Sequence, residues 1–381
     1  MNPTERGTRD RANRQGAIIP VPSGASKRIP ALGLPPRGLR AALEDLLAEL
    51  GEPGYRAPQI ASWIHTRGAR TFDEMTSLPK ALRDELRERI SLSALEAETV
   101  ARSEDGSIKH LWRLADGERV ESVLIPSGRR VTLCLSSQAG CGLGCTFCAT
   151  GHFGFRRNLS AAEIVTQYRD ALRVSLDELG RPIANVVYMG MGEPFANREA
   201  VLASLRVLHE GFGLGARRIT VSTVGLIPGI RDLASLAAPF RLAVSLHAPN
   251  HDLRLRLVPI ERRYPLPDLF EALRAYQERK RRRITFEYTL IRDVNDGPEL
   301  AQQLADLLVG LDAYVNLIPL NPIPASEWRP SSPQRIARFA RELEARAVPA
   351  AVRRPRGRDI AAACGQLRLE SASATAGRDP G

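Results

Sequence analysis

Short apolar runs alternate with amphipathic stretches from residue 130 onward. The runs are typical of strands, and segments such as "SAAEIVTQYRDALRVSLDEL" and "PELAQQLADLLVGL" between them are typical of helices. This alternation predicts parallel βαβ units with the helices outside. No GxGxxG turn follows the first run, which favours a complete or partial β/α barrel over a dinucleotide-binding sheet. The seven runs are "RVTLCLSS", "IANVVYMGMGEP", "RRITVSTVG", "FRLAVSLHAP", "RITFEYTLI", "AYVNLIPLNPIP" and "AAVRRPRGRD".

The residues before this repeat follow two other patterns. Apolar positions in "LRAALEDLLAEL", "APQIASWIHTRG" and "LPKALRDELRERI" predict helices between residues 36 and 95. Two Asp-Gly pairs, at 105–106 and 116–117, then predict a short antiparallel meander. The resulting division is a disordered basic tail at 1–33, a helical domain with a β extension at 34–126, a barrel at 127–357, a C-terminal segment at 358–368 and a disordered tail at 369–381.

Composition narrows the cellular setting. Hydrophobic residues make up 43% of the 381 residues, yet no apolar run has the roughly 20 residues that a membrane span needs. The first residues are charged and lack an apolar signal segment, so we expect a cytoplasmic protein with reduced thiols. The net charge of +11 and pI of about 9.9 favour a polyanionic partner, most simply nucleic acid.

Three of the five cysteines lie close together in "GCGLGCTFCATG". Cys141, Cys145 and Cys148 have the spacing of one helical face, but the glycines between them disfavour a helix. A zinc ion is an alternative, with His152 as the fourth ligand. A [4Fe–4S] cluster with three protein ligands and one open iron suits a Gly-rich CxxxCxxC loop after the first barrel strand better.

Other polar residues end predicted strands, where barrel enzymes place their chemistry. Each of them also has an ordinary structural explanation: His247 as a core histidine, Ser222 as a helix N-cap and Asn321 as a turn former. The isolated Cys134 and Cys364 are the kind of residue that is usually inert packing, and Glu121 is typical of a solvated strand face. Basic clusters occur at "RKRRR" (279–283) and "RRPRGR" (353–358), and Trp63, His65 and Arg67 mark a further candidate RNA surface.

Several motifs together resemble one family. The cysteine loop and "YMGMGEP" are similar to the cluster loop and second-strand motif of radical S-adenosylmethionine (SAM) enzymes. "CLSSQAGCGLGCTFCATGHFGFRRNLS", "STVG", "SLHAPN", "VNDG", "NLIPLNP" and "RGRDIAAACGQL" resemble the RlmN/Cfr family of RNA adenine methyltransferases, as do "GEPGYRAPQIASWI" and "FDEMTSLP" near the N-terminus. The resemblance runs in order from about residue 36 to 367.

The resemblance implies a fold and residue roles. The fold is a partial (β/α) TIM-like radical SAM barrel with a small N-terminal helical domain. Cys364 matches the methyl-carrying cysteine, Cys134 the resolving cysteine and Glu121 the proton acceptor. Gly190 and Gly192 would allow a close backbone approach to SAM. The residues implied to bind the cluster are Cys141, Cys145 and Cys148, and those implied to contact SAM are Gly192, Glu193, Ser222, Ser245, Leu246, His247 and Asn321.

The same resemblance implies a reaction and its partners. The enzyme would methylate C2 of an adenosine in the peptidyl-transferase region of 23S rRNA, and of the adenosine 3′ to the anticodon in tRNAs. It would use one [4Fe–4S] cluster and two SAM per turnover, through an adenosyl radical and an RNA adduct on Cys364 that Cys134 resolves as a disulfide. A flavodoxin- or ferredoxin-type donor, a thiol reductant and a monomeric state complete this expectation. The alternatives are a Cfr-type C8 enzyme of antibiotic resistance and a non-catalytic iron–sulfur RNA-binding or ribosome-assembly protein.

Overall fold

A computed structural model describes residues 28–324 and 326–367. The described residues form an α/β fold, as the alternation of apolar runs predicts. Its strands are β1 (Ile29–Pro30), β2 (Ile90–Ser91), β3 (Leu95–Arg102), β4 (Ile108–Leu114), β5 (Arg119–Ser127), β6 (Arg130–Cys134), β7 (Gln138–Gly140), β8 (Phe155–Asn158), β9 (Ile183–Tyr188), β10 (Ile219–Thr223), β11 (Arg241–Ser245), β12 (Ile284–Leu290), β13 (Ala313–Pro319) and β14 (Ala350–Val352). Its α-helices are α1 (Pro36–Glu49), α2 (Arg56–Ala61), α3 (Lys80–Arg89), α4 (Ala149–His152), α5 (Ala161–Leu179), α6 (Arg198–Arg206), α7 (Ile227–Ser235), α8 (His251–Leu257), α9 (Leu266–Lys280), α10 (Pro298–Leu307) and α11 (Pro333–Glu344).

Helices α1 to α3 form a small core of their own. The leucines of α1 repeat every three or four positions, and Leu39 and Leu43 are fully buried in this core. The expected disordered tail is wrong at residues 28–33, where β1 pairs in parallel with β2. Ala31 and Leu32 are buried against the helices, so these residues complete the small core. The rest of the expected N-terminal tail, and the expected tail at 369–381, lie outside the described residues.

One ten-stranded sheet spans the rest of the described fold. Its order is β14-β13-β12-β11-β10-β9-β6-β5-β4-β3, and all seven apolar runs that predicted parallel strands lie in it. The predicted meander is β3 to β5, with Gly106 at φ 84° and Gly117 at φ 86° in its two turns. Since β5 pairs with β6, the antiparallel strands and the parallel strands share one sheet across residue 127.

The sheet does not close on itself, so of the two predicted forms the barrel is the partial one. Five strands separate β6 from β14 in the sheet order, because the meander occupies the other edge of β6. The chain after β14 crosses this opening instead. There the Gly357 N–H donates to Asp105 Oδ2 at 2.8 Å, and Ser103 Oγ donates to Asp359 Oδ1 at 2.6 Å.

Helices between the parallel strands cover the outside of the sheet. Helix α5, for example, begins with a capping box in which Ser160 and Glu163 bond each other's backbone, and it ends at Gly180 with φ 63°. These βαβ connections bring the carboxyl ends of all the parallel strands to one edge of the sheet. Among the described residues, no helix is both long and apolar enough to cross a bilayer.

Candidate active site

An open cavity lies at the carboxyl ends of the parallel strands. Its empty volume is about 1040 Å³, counted out to bulk solvent. Residues from the cysteine loop, from the ends of six strands and from the C-terminal segment line it. They are Cys141, Leu143, Cys145, Phe147, Cys148, Thr150, Tyr188, Met189, Gly190, Gly192, Glu193, Pro194, Ser222, Thr223, Val224, Ser245, His247, Glu287, Thr289, Ile318, Leu320, Asn321, Arg353, Cys364 and Gly365.

The three clustered cysteines lie on an irregular loop and not on a helical face. Helix α4 begins only after Cys148, so the helical alternative is wrong. The short ribbon of β7 and β8 forms the base of the loop. A side chain at position 140 would place its Cβ 1.9 Å from the Gly154 oxygen, so the loop base requires glycine there. All three cysteines line the cavity, as the CxxxCxxC spacing predicts.

The loop cysteines are half-buried, and the surrounding protein displaces most of the water from their sulfur atoms. Burial raises the pKa of Cys141 to about 12 and also raises the pKa values of Cys145 and Cys148. Without a metal these thiols would therefore stay protonated, and a bound cation would be needed to hold them as thiolates. No group of three metal-ligating side chains in residues 28–324 and 326–367 converges on a single ion.

The zinc alternative fits this geometry poorly. A structural zinc ion takes four protein ligands, and the loop supplies three cysteines. His152 does not line the cavity, and its Nε2 lies 3.2 Å from the Thr146 oxygen. A cluster held by three cysteines needs no fourth residue from the protein, so the loop suits a cluster better.

The "GMGEP" turn after β9 forms the next part of the cavity wall. Gly192 has φ 93°, and a Cβ there would lie 2.5 Å from Gln138 Cβ. A Cβ at Gly190 would lie 2.7 Å from the Leu135 oxygen. We expected these glycines to admit SAM, but their first close neighbours are the chain's own residues after β6. The glycines therefore let the second strand end pack directly on the first.

Glu193 is held by backbone amides. Its Oε1 accepts from the Phe195 N–H at 3.0 Å, and its Oε2 accepts from the Val224 N–H at 3.0 Å. Burial raises the pKa of Glu193 to about 7, against the opposing effect of these hydrogen bonds. The carboxylate thus links the ends of β9 and β10 on the cavity wall and stands beside the cysteine loop.

The strand ends of β10 and β11 place most of the expected SAM-contact residues together. Ser222 Oγ and Ser245 Oγ lie 3.4 Å apart, and both residues line the cavity. His247 has φ 61°, and its Nδ1 accepts from the Thr289 N–H at 3.0 Å, so its neutral ring carries the proton on Nε2. Burial lowers the pKa of His247 to about 3. Leu246 is the exception, since its side chain is fully buried in the core and does not line the cavity.

Asn321 lines the cavity and also holds the C-terminal segment. Its Nδ2 donates to the Cys364 oxygen at 3.1 Å, and its Oδ1 accepts from Arg358 Nε at 2.9 Å. The Ala149 N–H donates to the Gly365 oxygen at 2.8 Å, which joins the same segment to the cysteine loop. These contacts hold Cys364 inside the cavity, with its side chain exposed to the open space.

The two remaining thiols lie in one region although they are far apart in sequence. Cys134 ends β6 and is buried, and it lies within range of the charge of Cys364. Burial raises the pKa of Cys134 to about 12, and the cavity walls that displace water from the Cys364 sulfur raise its pKa although the residue is exposed overall. Arg353, which lines the cavity, opposes both increases. Cys134 itself lies behind the lining, and its sulfur interacts with the backbone of Met189.

Glu121 is a buried residue, contrary to the solvated strand face that its sequence context suggests. It is 1% exposed on β5 and forms an ion pair with Lys109 Nζ at 2.9 Å. Lys109 Nζ also donates to the Ala361 oxygen at 3.4 Å. Glu121 does not line the cavity, but Lys109 connects it to the segment that carries Cys364.

The basic clusters differ in how many of their side chains are already bonded to other residues of the protein. In the 279–283 cluster, Lys280 donates to the Leu236 oxygen and Arg283 pairs with Asp312 at 2.6 Å. In the 353–358 cluster, Arg354 is exposed, whereas Arg358 is occupied by Asn321.

The candidate surface on the helical unit is only partly formed as expected. The Arg67 guanidinium lies 4.1 Å from the Trp63 ring centroid. His65 is buried, so it does not belong to that surface. Burial also lowers the pKa of His65 to about 4.

Comparisons with known proteins place this geometry in a family. Residues 38–92 match the ribosomal RNA large subunit methyltransferase N-terminal domain, and residues 135–304 match the Radical SAM superfamily. A probable dual-specificity RNA methyltransferase RlmN of Gemmatimonas aurantiaca is 48% identical over 89% of this chain and 93% of its own. The chain belongs to the RlmN family. The dual-specificity RNA methyltransferase RlmN of Marinobacter nauticus is 44% identical over 91% of this chain and 94% of its own. The crystal structure of a radical SAM methyltransferase from Sphaerobacter thermophilus is 50% identical, with a TM-score of 0.85 over 89% of this chain and 99% of that chain.

Membership in the RlmN family implies a [4Fe–4S] cluster and SAM, and the cavity fits both. Three cavity-lining thiols on a glycine-rich loop would hold the cluster through Cys141, Cys145 and Cys148. The adjoining wall offers the carboxylate of Glu193 and the hydroxyls of Ser222 and Ser245 to a polar ligand. Radical SAM RNA methyltransferase chemistry also implies an RNA substrate.

One carboxylate in the cavity was missed by sequence reasoning. Glu287 is buried within β12, where Asn316 Nδ2 donates to its Oε1 at 2.8 Å, and it lines the cavity beside Cys364. Burial raises the pKa of Glu287, and Arg353 opposes this effect. A single carboxylate inside the apolar run "ITFEYTLI" was the available signal, because charged residues are seldom fully buried unless they are paired.

Proposed function

We propose that this protein methylates C2 of an adenosine in the peptidyl-transferase region of 23S rRNA and C2 of the adenosine 3′ to the anticodon in tRNAs. The observation that carries the proposal is the position of Cys364, which is held in the same cavity as the three loop cysteines. The buried thiol of Cys134 lies close to it. An adenine ring carbon is electron-poor and does not attack the methyl group of SAM directly. A thiol that carries the methyl group provides another route to that carbon.

The [4Fe–4S] cluster and SAM, when bound, supply the methyl group and the one-electron chemistry that this ring carbon requires. We assign the cluster to Cys141, Cys145 and Cys148, and the SAM pocket to the wall from Gly192 to His247. Two SAM molecules are used in each turnover. The external electron comes from a flavodoxin- or ferredoxin-type donor, and the enzyme works as a cytoplasmic monomer.

The two lone thiols act in sequence. Cys364 Sγ takes up the methyl group, and one hydrogen atom of that methyl would leave through the one-electron chemistry that the cluster and SAM supply. The same carbon then bonds to the adenine, so that RNA is attached to the protein. Cys134 Sγ attacks Cys364 Sγ, the bond between Cys364 Sγ and the carbon breaks, and the carbon takes up a proton, so the methylated base departs. A Cys134–Cys364 disulfide remains for a thiol reductant to reopen, and the surplus electron would return to the cluster. Arg353 favours both thiolates, since its charge lowers the pKa of each thiol against the effect of burial.

Glu121 would accept the proton that the ring carbon loses. The Lys109 ammonium at 2.9 Å stabilises its carboxylate and ties it to the Cys364 segment through the Ala361 carbonyl. The substrate adenosine must leave its stack to reach the cavity, and a base in an RNA loop is the easiest to extrude. The helical unit with Trp63 and Arg67 is our candidate for holding the surrounding RNA.

The test uses two single variants of the full chain. Cys134→Ala should accumulate protein bound covalently to RNA, visible as a denaturation-resistant band that nuclease removes. Cys364→Ala should bind iron and SAM but form no such band and acquire no protein methyl group. Normal turnover by Cys134→Ala, or a crosslink in Cys364→Ala, would show that the two roles are assigned wrongly.

Mass spectrometry of nucleosides from the treated RNA then identifies the reaction. 2-Methyladenosine in rRNA and tRNA is the expected product. 8-Methyladenosine in rRNA would establish the Cfr-type activity instead. Unmodified RNA with intact iron content would favour a non-catalytic RNA-binding protein.

A further inference from the structure

Two parts of the cavity wall are joined by one buried side chain, Arg254 of helix α8. Its guanidinium is fully buried. Nε donates to the Leu246 oxygen at 3.2 Å, and Nη2 donates to the Val224 oxygen at 2.5 Å. Nη1 pairs with Glu261 Oε2. All three nitrogens of the guanidinium therefore have a fixed partner, two of which are strand-end carbonyls.

The two carbonyl contacts reach the site directly. The Val224 N–H donates to Glu193 Oε2 at 3.0 Å, so Arg254 supports the peptide unit next to the one that orients Glu193. Leu246 immediately precedes His247, which lines the cavity. Arg254 thus joins the chain after β10 to the chain after β11 at the point where both face the cavity.

Helix α8 also packs beneath the cysteine loop. The Thr146 N–H, between Cys145 and Phe147, donates to the Leu257 oxygen at 3.1 Å. Cys145 and Cys148 pack against a small apolar cluster that contains Leu257. Arg254 lies one turn before Leu257 on this helix, so a permanent cation lies close to the loop within the low-dielectric interior.

Glu261 compensates this cation. Its side chain is fully buried, and its Oε1 accepts from the Leu266 N–H at 2.9 Å and lies 2.9 Å from His251 Nδ1. Because water does not screen the pair, a change in either charge alters the field at the loop. Removal of the Glu261 charge leaves Arg254 uncompensated, and removal of the Arg254 charge leaves Glu261 uncompensated.

We propose that Arg254 is a positioning residue with two effects on the cofactors, an inference that rests on the cluster and SAM sites of the proposed function. Its hydrogen bonds hold the chain after β10 and β11 against the SAM pocket. Its charge raises the reduction potential of the cluster bound by the three loop cysteines, and Glu261 limits that increase. Reduction adds one electron to the cluster, so a nearby cation stabilises the reduced form and a nearby anion destabilises it.

Three substitutions separate the charge from the hydrogen bonds. Arg254→Gln removes the charge and some of the hydrogen bonds, whereas Arg254→Lys keeps the charge and loses the fork-shaped donor. Glu261→Gln removes the opposing charge and keeps an acceptor of the same shape. Arg256→Gln is the control, because Arg256 lies two positions along the same helix, is exposed and stacks on Trp328 at 4.9 Å.

The experiment is a redox titration of the reconstituted full-length protein, followed by electron paramagnetic resonance, with SAM binding measured by calorimetry. The potential should fall in Arg254→Gln, rise in Glu261→Gln and stay at the wild-type value in Arg254→Lys and Arg256→Gln. SAM binding should weaken about ten- to hundredfold in Arg254→Lys, since it loses at least one carbonyl contact. A purely structural role would not shift the potential in opposite directions.

The outcomes distinguish this inference from the proposed function. Shifts of the same sign in Arg254→Gln and Glu261→Gln, or shifts no larger than that of Arg256→Gln, would overturn the inference. If Arg254→Gln loses its iron, the rise in Glu261→Gln and the unchanged potential of Arg254→Lys still decide. A wild-type protein without a [4Fe–4S] signal would instead contradict the proposed function itself.

Discussion

Replacement of Asn321 by alanine tests how Cys364 is held in the cavity. The change removes the hydrogen bond to the Cys364 oxygen at 3.1 Å and the one from Arg358 at 2.9 Å. A neutral hydrogen bond contributes about 1 kcal/mol and a charge-assisted one somewhat more, so docking of the segment should weaken by about 2–3 kcal/mol. The equilibrium constant for docking should therefore fall about 30- to 150-fold.

Hydrogen exchange followed by mass spectrometry measures this effect directly. Amides in peptides covering 357–367, such as the Ala362 N–H that bonds the Gly357 oxygen at 2.7 Å, should exchange about 30- to 150-fold faster. Gln366→Ala is the matched control, because it removes a partly exposed amide contact with the Pro322 oxygen. That control should change exchange by about fivefold or less.

The Asn321 experiment also separates two roles. If methylation is lost in Asn321→Ala while exchange in 357–367 stays at the wild-type rate, the amide does not hold the segment. Asn321 would then contact SAM directly, as the sequence resemblance implies. Faster exchange together with loss of methylation supports the role in positioning Cys364.

Three further predictions follow from burial, backbone conformation and charge. Gly192→Ala should lower the free energy of unfolding, measured by urea titration, by about 2–5 kcal/mol. The control Gly117→Ala should lower it by about 1–2 kcal/mol. Both glycines have positive φ, but only at Gly192 would the new Cβ also collide with Gln138. Burial lowers the pKa of His110 to about 4. The stability that is present above pH 6.5 should therefore fall by on the order of 3 kcal/mol as the pH decreases to 4. His110→Phe should reduce the pH dependence of the melting temperature across that range. RNA binding should weaken steeply with salt, and exposed Arg354→Gln should reduce the slope of log K by about 0.7–0.9 per phosphate contact, whereas exposed Arg129→Gln should leave it unchanged.

Local patterns determined much of the fold. The period of the apolar positions identified all seven parallel strands, and the Asp-Gly pairs identified the turns of the meander. These features depend on neighbouring residues alone, because side-chain periodicity and turn conformation are properties of short segments. The boundary at residue 33 failed for the same reason, since Ala31 and Leu32 acquire their role only by packing against helices that follow them.

The cysteine loop was also predictable from its own residues. Three thiols separated by glycines predict an irregular loop with metal-binding potential, and their spacing can be recognised without any distant residue. The strand-end residues Ser222 and His247 were placed by the rule that parallel strands share one carboxyl edge, and Ser245 was placed by the family resemblance. The sequence by itself therefore determined the fold class, the cysteine loop and most of the cavity wall.

Only the tertiary structure decided which polar groups form hydrogen bonds and ion pairs with each other. Asn321 bonds the segment of Cys364, Glu121 pairs with Lys109, and Arg254 joins two strand ends, although each partner lies on a different element. Burial and charge pairing are sums over atoms that are close in space, and they leave no periodic signal in the chain. The opening between β6 and β14, and the C-terminal segment that crosses it to bring Cys364 near Cys134, were decided by the same long-range packing.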